Sequence, residues 1–159
     1  MLDKADTLDS LDISTPSISS ANLATEQQFQ APVVLVVDDD TDSLVLACHV
    51  LEQFVCVPLC EMNGQIALDT ILTHKPDLII MDIRLPELSG LEIIRLLKRD
   101  ETAHRIPIIV VTALAGRKNR EAILCMGCDH YVTKPYLLKD LEKLMHSYLI
   151  RNSESSYAL

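Results

Sequence analysis

The sequence is poor in positive charge: 14 lysines and arginines stand against 23 aspartates and glutamates in 159 residues, a formal net charge of −9. Surfaces that bind nucleic acid or anionic membranes need clustered lysine and arginine to contact phosphates, so this balance argues against both partners. No apolar run approaches the roughly 20 residues that span a bilayer. The first residues also lack the basic region and apolar core of a signal peptide. We therefore expect a cytoplasmic protein without nucleic-acid or membrane partners.

Disulfide and zinc frameworks are missing as well. The cysteines are odd in number: Cys48, Cys56, Cys60, Cys125 and Cys128. Cys125 and Cys128 have the C-x-x-C spacing, but no second pair of this kind completes a zinc site. We interpret the cysteines as structural or incidental thiols.

The first 31 residues differ from the rest of the chain because they are rich in Ser, Thr, Asp and Gln. Such a segment buries too little apolar surface to offset the entropy of ordering. The alternative is a short helix with apolar residues on one side, namely Leu2, Leu8, Leu11 and Ile13. We predict a flexible acidic tail over residues 1–31, one folded domain over 32–150 and a short C-terminal tail over 151–159.

Short apolar runs alternate with segments of helical periodicity across the predicted domain. The predicted strands are Val33–Val37, Val55–Cys60, Asp77–Met81, Pro107–Val111 and His130–Thr133. The first predicted helix follows the N-cap candidates Thr41, Asp42 and Ser43 and ends near Phe54. The other predicted helices are Gln65–His74, Leu91–Asp100, Arg117–Met126 and Leu137–Ile150. Alternating strands and helices are typical of a doubly wound parallel sheet. Pro58 places the second strand at an edge, which favours the flavodoxin-like strand order 2-1-3-4-5 with five helices.

Acidic residues follow two strands that are adjacent in this order. Asp38 and Asp39 come directly after the first strand, and Asp82 comes directly after the third. Their carboxylates should crowd together at the carboxyl edge of the sheet, where open α/β sheets bind ligands. A hard divalent cation relieves such crowding, and Mg²⁺ typically uses one or two carboxylates with waters. The sequence therefore predicts a magnesium site at this edge.

The same edge has the parts needed for phosphoryl transfer. Asp82 is the candidate nucleophile, Thr112 supplies a hydroxyl donor and Lys134 a compact cation. Each part also has an ordinary structural interpretation: a threonine often ends a strand, and a lysine before a proline is often solvated. Asp40 and Asp42 are equally well interpreted as caps of the following helix. The joint arrangement, rather than any one residue, points to phosphoryl chemistry.

Four motifs of this chain resemble the receiver domain of two-component response regulators over about Val33 to Ile150. The motifs are Leu-Val-Val-Asp38-Asp39, Met81-Asp82-Ile-Arg-Leu-Pro86, Ile-Val-Val-Thr112-Ala113 and Tyr131-Val-Thr-Lys134-Pro135. The resemblance implies that Asp82 accepts a phosphoryl group from a histidine kinase or histidine phosphotransfer protein. It also implies Mg²⁺ ligation by Asp38, Asp39 and Asp82, with the main-chain carbonyl of Arg84 as a further ligand.

The resemblance also assigns a switch. Thr112 and Tyr131 match a pair in which the hydroxyl moves toward the phosphate and the ring turns inward behind it. Lys134–Pro135 matches a peptide bond that is cis in the family. Arg84 and Leu114 lie where the family tunes phosphoryl lifetime, and we predict that these bulky side chains shield the aspartyl phosphate. The downstream protein target is expected on the face built from helix 4, strand 5 and helix 5, since only residues 151–159 follow and leave no DNA-binding output domain.

Two alternatives remain at this point. Asp38 to Asp42 superficially resembles the aspartate motif of haloacid-dehalogenase-type phosphatases, which also use Mg²⁺, but no later acidic pair follows a strand after Thr112. An inert receiver-like interaction module usually lacks the phosphorylated aspartate, whereas Asp82 is present. We expect a signalling module that catalyses only its own phosphoryl transfer and dephosphorylation.

Overall fold

The computed structural model describes residues 30–155 of the chain. The tail predicted over residues 1–31 lies outside the described residues, apart from its last two positions. Residues 156–159 lie outside them as well.

Strands and helices alternate along the described chain. The strands are β1 (Val33–Val37), β2 (Val57–Glu61), β3 (Leu78–Met81), β4 (Ile108–Thr112) and β5 (His130–Thr133). The helices are α1 (Thr41–Leu51), α2 (Gly64–His74), α3 (Gly90–Arg99), α4 (Arg117–Cys125) and α5 (Leu138–Ser155). The strands form one parallel sheet in the order β2-β1-β3-β4-β5. The predicted flavodoxin-like fold is therefore confirmed.

Helices cover both faces of this sheet because its central strands are apolar on both sides. Leu35 and Val37 of β1 face the core shared with α2, α3 and α4, whereas Val34 and Val36 face the core shared with α1 and α5. The alternation follows from the period of two in a strand. No helix in the described range has the length and apolar character needed to cross a bilayer.

The edge strand β2 pairs with β1 alone, and Pro58 lies opposite Val34 in that pairing. An edge strand tolerates proline because one of its sides makes no ladder hydrogen bonds. The predicted edge position is confirmed, although the strand runs from Val57 to Glu61 rather than from Val55 to Cys60.

The ends of α1 and α5 differ most from prediction. The side chain of Asp40 accepts the Ser43 N–H at 3.2 Å, so α1 is capped by Asp40 and not by Thr41, Asp42 or Ser43. The helix ends at Leu51, before Phe54, which contacts the core from the following loop. The backbone of α5 continues as helix to Ser155, beyond the predicted end at Ile150.

The helical spacing of Ile66, Leu68, Ile71 and Leu72 predicts that these side chains of α2 face inward, but two of them are exposed. Ile66 is 52% exposed and Leu72 40% exposed, while Ala67 and Ile71 are fully buried. A helix turns about 100° per residue, so a stripe one turn long through residues 67 and 71 leaves residues 66 and 72 at its margins. Leu96, one of the apolar residues of α3, is likewise 46% exposed. The apolar residues of α2 and α3 therefore did not all lie on the helix face that packs against the sheet.

Candidate functional site

The three buried polar or charged residues of the described chain all lie at one edge of the sheet. Asp38 is 5% exposed, Asp82 8% and Thr112 0%. Each ends or directly follows one of the central strands β1, β3 and β4. Val37 lies opposite Met81, and the Asp82 N–H donates to the Val37 carbonyl at 2.9 Å. This register places the two buried aspartates side by side.

Lys134 reaches the same point from the loop after β5. Its Nζ donates to Oδ2 of Asp38 at 2.5 Å and to Oδ2 of Asp82 at 3.1 Å. Burial opposes the charged form, but the hydrogen bonds to these carboxylates outweigh it and raise the pKa of Lys134. The Lys134 backbone N–H also donates to the Thr112 carbonyl at 2.9 Å. A permanent positive charge is therefore held between the two aspartates.

The loop between β1 and α1 gives its acids different tasks. Asp38 Oδ1 accepts the Asp40 N–H at 3.0 Å, which shapes the loop. Asp40 Oδ2 accepts the Ser43 hydroxyl at 2.8 Å, and this bond, followed by the backbone bond from Ser43, lowers the pKa of Asp40. Ser43 Oγ in turn accepts from Lys134 Nζ at 3.2 Å. Of Asp40 and Asp42, it is thus Asp40 that caps the helix. Asp39 is exposed and forms no ion pair in the described part of the chain.

Three carboxylate oxygens, one each from Asp38, Asp39 and Asp82, lie within 4.8 Å of one another, and the described residues hold no second group of this kind. Three formal negative charges meet the single ammonium of Lys134, so the cluster repels itself. Carboxylate oxygens at this spacing suit a hard divalent cation, and Mg²⁺ prefers such ligands. The residues present therefore fit the predicted ion. The carbonyl of Arg84 as an additional ligand stays a prediction.

The loop after Asp82 is held by close packing that the sequence analysis missed. The Arg84 N–H donates to Asp82 Oδ1 at 3.1 Å. A Cβ on Gly90 would lie 2.4 Å from the Asp82 carbonyl oxygen, and one on Gly64 would lie 1.7 Å from the Leu88 carbonyl oxygen. Both helices that begin there approach the loop so closely that only glycine fits. In the sequence, the Asn63-Gly64 dipeptide at the start of α2 indicates a turn, but it does not predict this contact.

The predicted switch residues lie on the far side of Asp82, at β4 and β5. The Leu114 N–H donates to the Thr112 hydroxyl oxygen at 3.4 Å, and the Tyr131 hydroxyl donates to the Leu114 carbonyl. Burial raises the pKa of Tyr131, so its hydroxyl stays protonated at neutral pH. Lys134–Pro135 is cis, as the resemblance implied. Thr112 and Tyr131 are therefore joined through the loop after β4.

An acidic cluster with a half-buried lysine lies at the carboxyl edge of a parallel sheet in the order 2-1-3-4-5, so the class is a small doubly wound α/β domain with an edge that could hold a divalent cation. Residues 34–146 match the family model described as the response regulator receiver domain, and the chain belongs to that family. Receiver domains are signalling modules of two-component systems rather than classical enzymes.

Individual relatives agree with this assignment. The polar-differentiation response regulator DivK of Brucella anthropi is 39% identical over 116 residues, which cover 73% of this chain and 94% of DivK. The receiver domain of sensor histidine kinase PA1611 from Pseudomonas aeruginosa PAO1, solved with a magnesium ion in its active-site cleft, is 27% identical with a TM-score of 0.68 and covers 76% of this chain and 98% of its own. A signal receiver domain from Vibrio parahaemolyticus has a TM-score of 0.73 at 23% identity, covering 80% and 97% respectively, a likeness of fold alone.

Proposed function

We propose that this chain is a phosphorylation-dependent signalling module in which Asp82 accepts a phosphoryl group from the phosphohistidine of a histidine kinase or a histidine phosphotransfer protein. The observation that carries the proposal is the setting of the Asp82 carboxylate. It is buried at the ligand-binding edge of the sheet, bonded to Lys134 and to the Arg84 N–H, and within 4.8 Å of two other carboxylates. The likeness to DivK along 94% of that response regulator also supports it.

The proposed step moves one phosphoryl group. A carboxylate oxygen of Asp82 attacks phosphorus while the bond from phosphorus to the donor's imidazole nitrogen breaks, and that nitrogen keeps the electron pair and takes up a proton. Lys134 compensates charge on the phosphoryl oxygens, and the Thr112 hydroxyl can donate to one of them. Asp38, Asp39, Asp82 and the Arg84 carbonyl would hold Mg²⁺. When bound, the ion supplies positive charge close to the transferred oxygens.

The proposed output is a change in protein–protein contacts on the face formed by α4, β5 and α5. Tyr131 supports this because it belongs to β5 and is bonded through Leu114 to the segment that begins at Thr112. Attraction of the Thr112 hydroxyl toward a phosphate would therefore disturb the residue that anchors the Tyr131 ring. A downstream protein that binds this face would sense the change. The site of action would be the cytoplasm, where ATP-dependent kinases act.

An aspartate phosphatase is the enzymatic alternative, and it predicts a different time course. A phosphatase turns over a small phosphate ester repeatedly, whereas a receiver takes up one phosphoryl group per chain and loses it slowly. The match to the receiver family favours the second behaviour.

The direct test is incubation of the full chain with acetyl phosphate and Mg²⁺, followed by intact mass spectrometry. The wild type should gain one phosphoryl group, and Asp82→Asn should gain none because the amide nitrogen replaces the attacking oxygen. Asp69→Asn is the matched control: Asp69 is an exposed residue on α2, and its variant should be labelled like the wild type. Equal labelling of the Asp82→Asn and wild-type proteins would contradict the assignment.

A further inference from the structure

Two cysteine sulfurs are in contact near the β2 edge of the sheet, the edge farthest from β5. Sγ of Cys48 on α1 lies 3.2 Å from Sγ of Cys60 on β2, and the two residues are 12 apart in sequence. Both are free thiols in the structure. A disulfide bond is about 2.05 Å long, so the sulfurs need to approach by about 1 Å.

The contact follows from the register of the edge strand. Cys60 lies opposite Val36, a residue of the core that α1 and α5 cover. Its side chain therefore points to the side of the sheet on which α1 lies. On α1 the buried stripe runs through Leu44, Ala47 and Leu51, and Cys48 sits beside this stripe and over β2. The packing of the helix on the sheet holds the two thiols together.

Solvent reaches the pair. Cys60 is exposed and Cys48 is half-buried, whereas Cys128 is buried in the core. The Cys60 thiol itself is partly covered by its contact with Cys48, but the pair lies at the surface, where small oxidants reach it without unfolding of the chain.

We propose that Cys48 and Cys60 are a redox modification site, at which a peroxide converts the two thiols into a reversible intramolecular disulfide. The Cys48 sulfur attacks a peroxide oxygen, the O–O bond breaks, and a sulfenic acid and one molecule of water form. The Cys60 sulfur then attacks the sulfenic sulfur, the S–S bond forms, and a second water leaves with the Cys60 proton. Two thiols and one hydrogen peroxide thus give one disulfide and two waters.

The surroundings of Cys60 bear on how readily its thiol reacts. Burial, followed by the neighbouring Cys48 sulfur, raises the pKa of Cys60 to about 12. Cys60 therefore remains a thiol at neutral pH, which slows its reaction and suits a site that is oxidised only during sustained exposure. Because cytosolic thiols are kept reduced, the bond would form during sustained peroxide exposure and be lost afterwards.

The crosslink joins two elements that border the acidic loop. The Asp38 N–H donates to the carbonyl of Glu61, the residue after Cys60, and Asp40 caps the helix that contains Cys48. Closing a loop of this length stabilises a domain of this size enough to raise its midpoint of thermal unfolding by about 10 °C. Oxidation should therefore stiffen the β1–α1–β2 side of the acidic cluster.

The test is peptide mapping of the full chain after treatment with hydrogen peroxide and blocking of remaining thiols. Trypsin does not separate these cysteines, because no lysine or arginine occurs between Lys4 and Lys75. Cleavage after glutamate does: one fragment, residues 27–52, contains only Cys48, and the next, residues 53–61, contains Cys56 and Cys60. We expect these two fragments to be linked after oxidation and separated by reductant.

Two variants identify the partner in the second fragment. Cys60→Ser should abolish the linkage and the rise in unfolding midpoint, whereas Cys56→Ser should keep both. Failure of the wild-type fragments to link under peroxide would overturn the proposal. Linkage that persists in Cys60→Ser would overturn it as well, since Cys56 would then be the partner.

Discussion

Asp39→Asn tests whether the acidic cluster is a cation site. Asp39 is exposed and forms no ion pair in the described part of the chain, yet its carboxylate lies within 4.8 Å of those of Asp38 and Asp82. An amide of the same shape removes one charge from the cluster. Without divalent cations, we therefore expect the variant to be more stable than the wild type.

The size of the gain follows from Coulomb's law. Two unit charges 4.8 Å apart repel by about 0.9 kcal/mol in water and by about 3.5 kcal/mol at an effective dielectric of 20. Because Asp39 is exposed, the value near water applies to each of its two repulsions, and the ammonium of Lys134 offsets part of them. The free energy of unfolding should rise by about 1 kcal/mol at low ionic strength.

The assay is urea unfolding in EDTA and then in Mg²⁺. Mg²⁺ at about ten times its dissociation constant should stabilise the wild type by about 1.4 kcal/mol, and the Asp39→Asn protein by much less because a ligand is gone. Asp42→Asn is the control, since Asp42 lies in the first turn of α1 and outside the cluster. That variant should lose about 0.3–1 kcal/mol of helix-dipole stabilisation and keep the full response to Mg²⁺. Destabilisation of Asp39→Asn in EDTA, or an undiminished Mg²⁺ response, would refute the reasoning.

Three further substitutions probe the surroundings of the site. Leu114→Ala should shorten the phosphoryl half-life severalfold in a decay assay of the labelled protein, because the half-buried Leu114 is bonded to Thr112 and would shield the acyl phosphate; an unchanged half-life would count against the shield. Gly64→Ala should lower the free energy of unfolding by about 2–3 kcal/mol in urea, because the new Cβ would collide with the Leu88 carbonyl oxygen; a loss within about 0.5 kcal/mol would mean that the loop yields freely. Ser43→Ala should be less stable than the wild type at pH 7, because the hydrogen bond from the Ser43 hydroxyl is the largest cause of the lowered pKa of Asp40. The difference in stability should vanish as the pH falls through the pKa of Asp40 in the folded state. A difference that persists in acid would assign the loss to another contact.

The sheet and its acids were predictable because they depend on one-dimensional patterns. Apolar runs alternate with helical segments, and the proline of β2 indicates an edge. Residues that directly follow adjacent parallel strands must meet at the same edge, which is why Asp38 and Asp82 could be paired from sequence. The magnesium ligands and the roles of Thr112 and Lys134 in transfer are still predictions.

Other features depend on distances that no sequence pattern contains. The requirement for Gly64 comes from a backbone carbonyl 24 residues away, on a loop that happens to pass the start of α2. The sulfur contact requires both the register of β2 and the rotation of α1 about its axis. The exposed positions of Ile66 and Leu72 likewise depend on which stripe of α2 faces the sheet.

Lys134 links the charge at Asp82 to the strands that would transmit a signal. Its Nζ donates to Asp82 and Asp38, and its backbone N–H donates to the carbonyl of Thr112, the last residue of β4. Phosphorylation of Asp82 would convert the carboxylate into an acyl phosphate and add phosphoryl oxygens that attract the same ammonium. Any movement of Lys134 toward them would be felt at Thr112 and, through Leu114, at Tyr131. The Lys134 ammonium also donates to Ser43 of α1, but the path through Thr112 and Leu114 ends on Tyr131 of β5, so a signal that begins at Asp82 should reach the α4–β5–α5 face by that path.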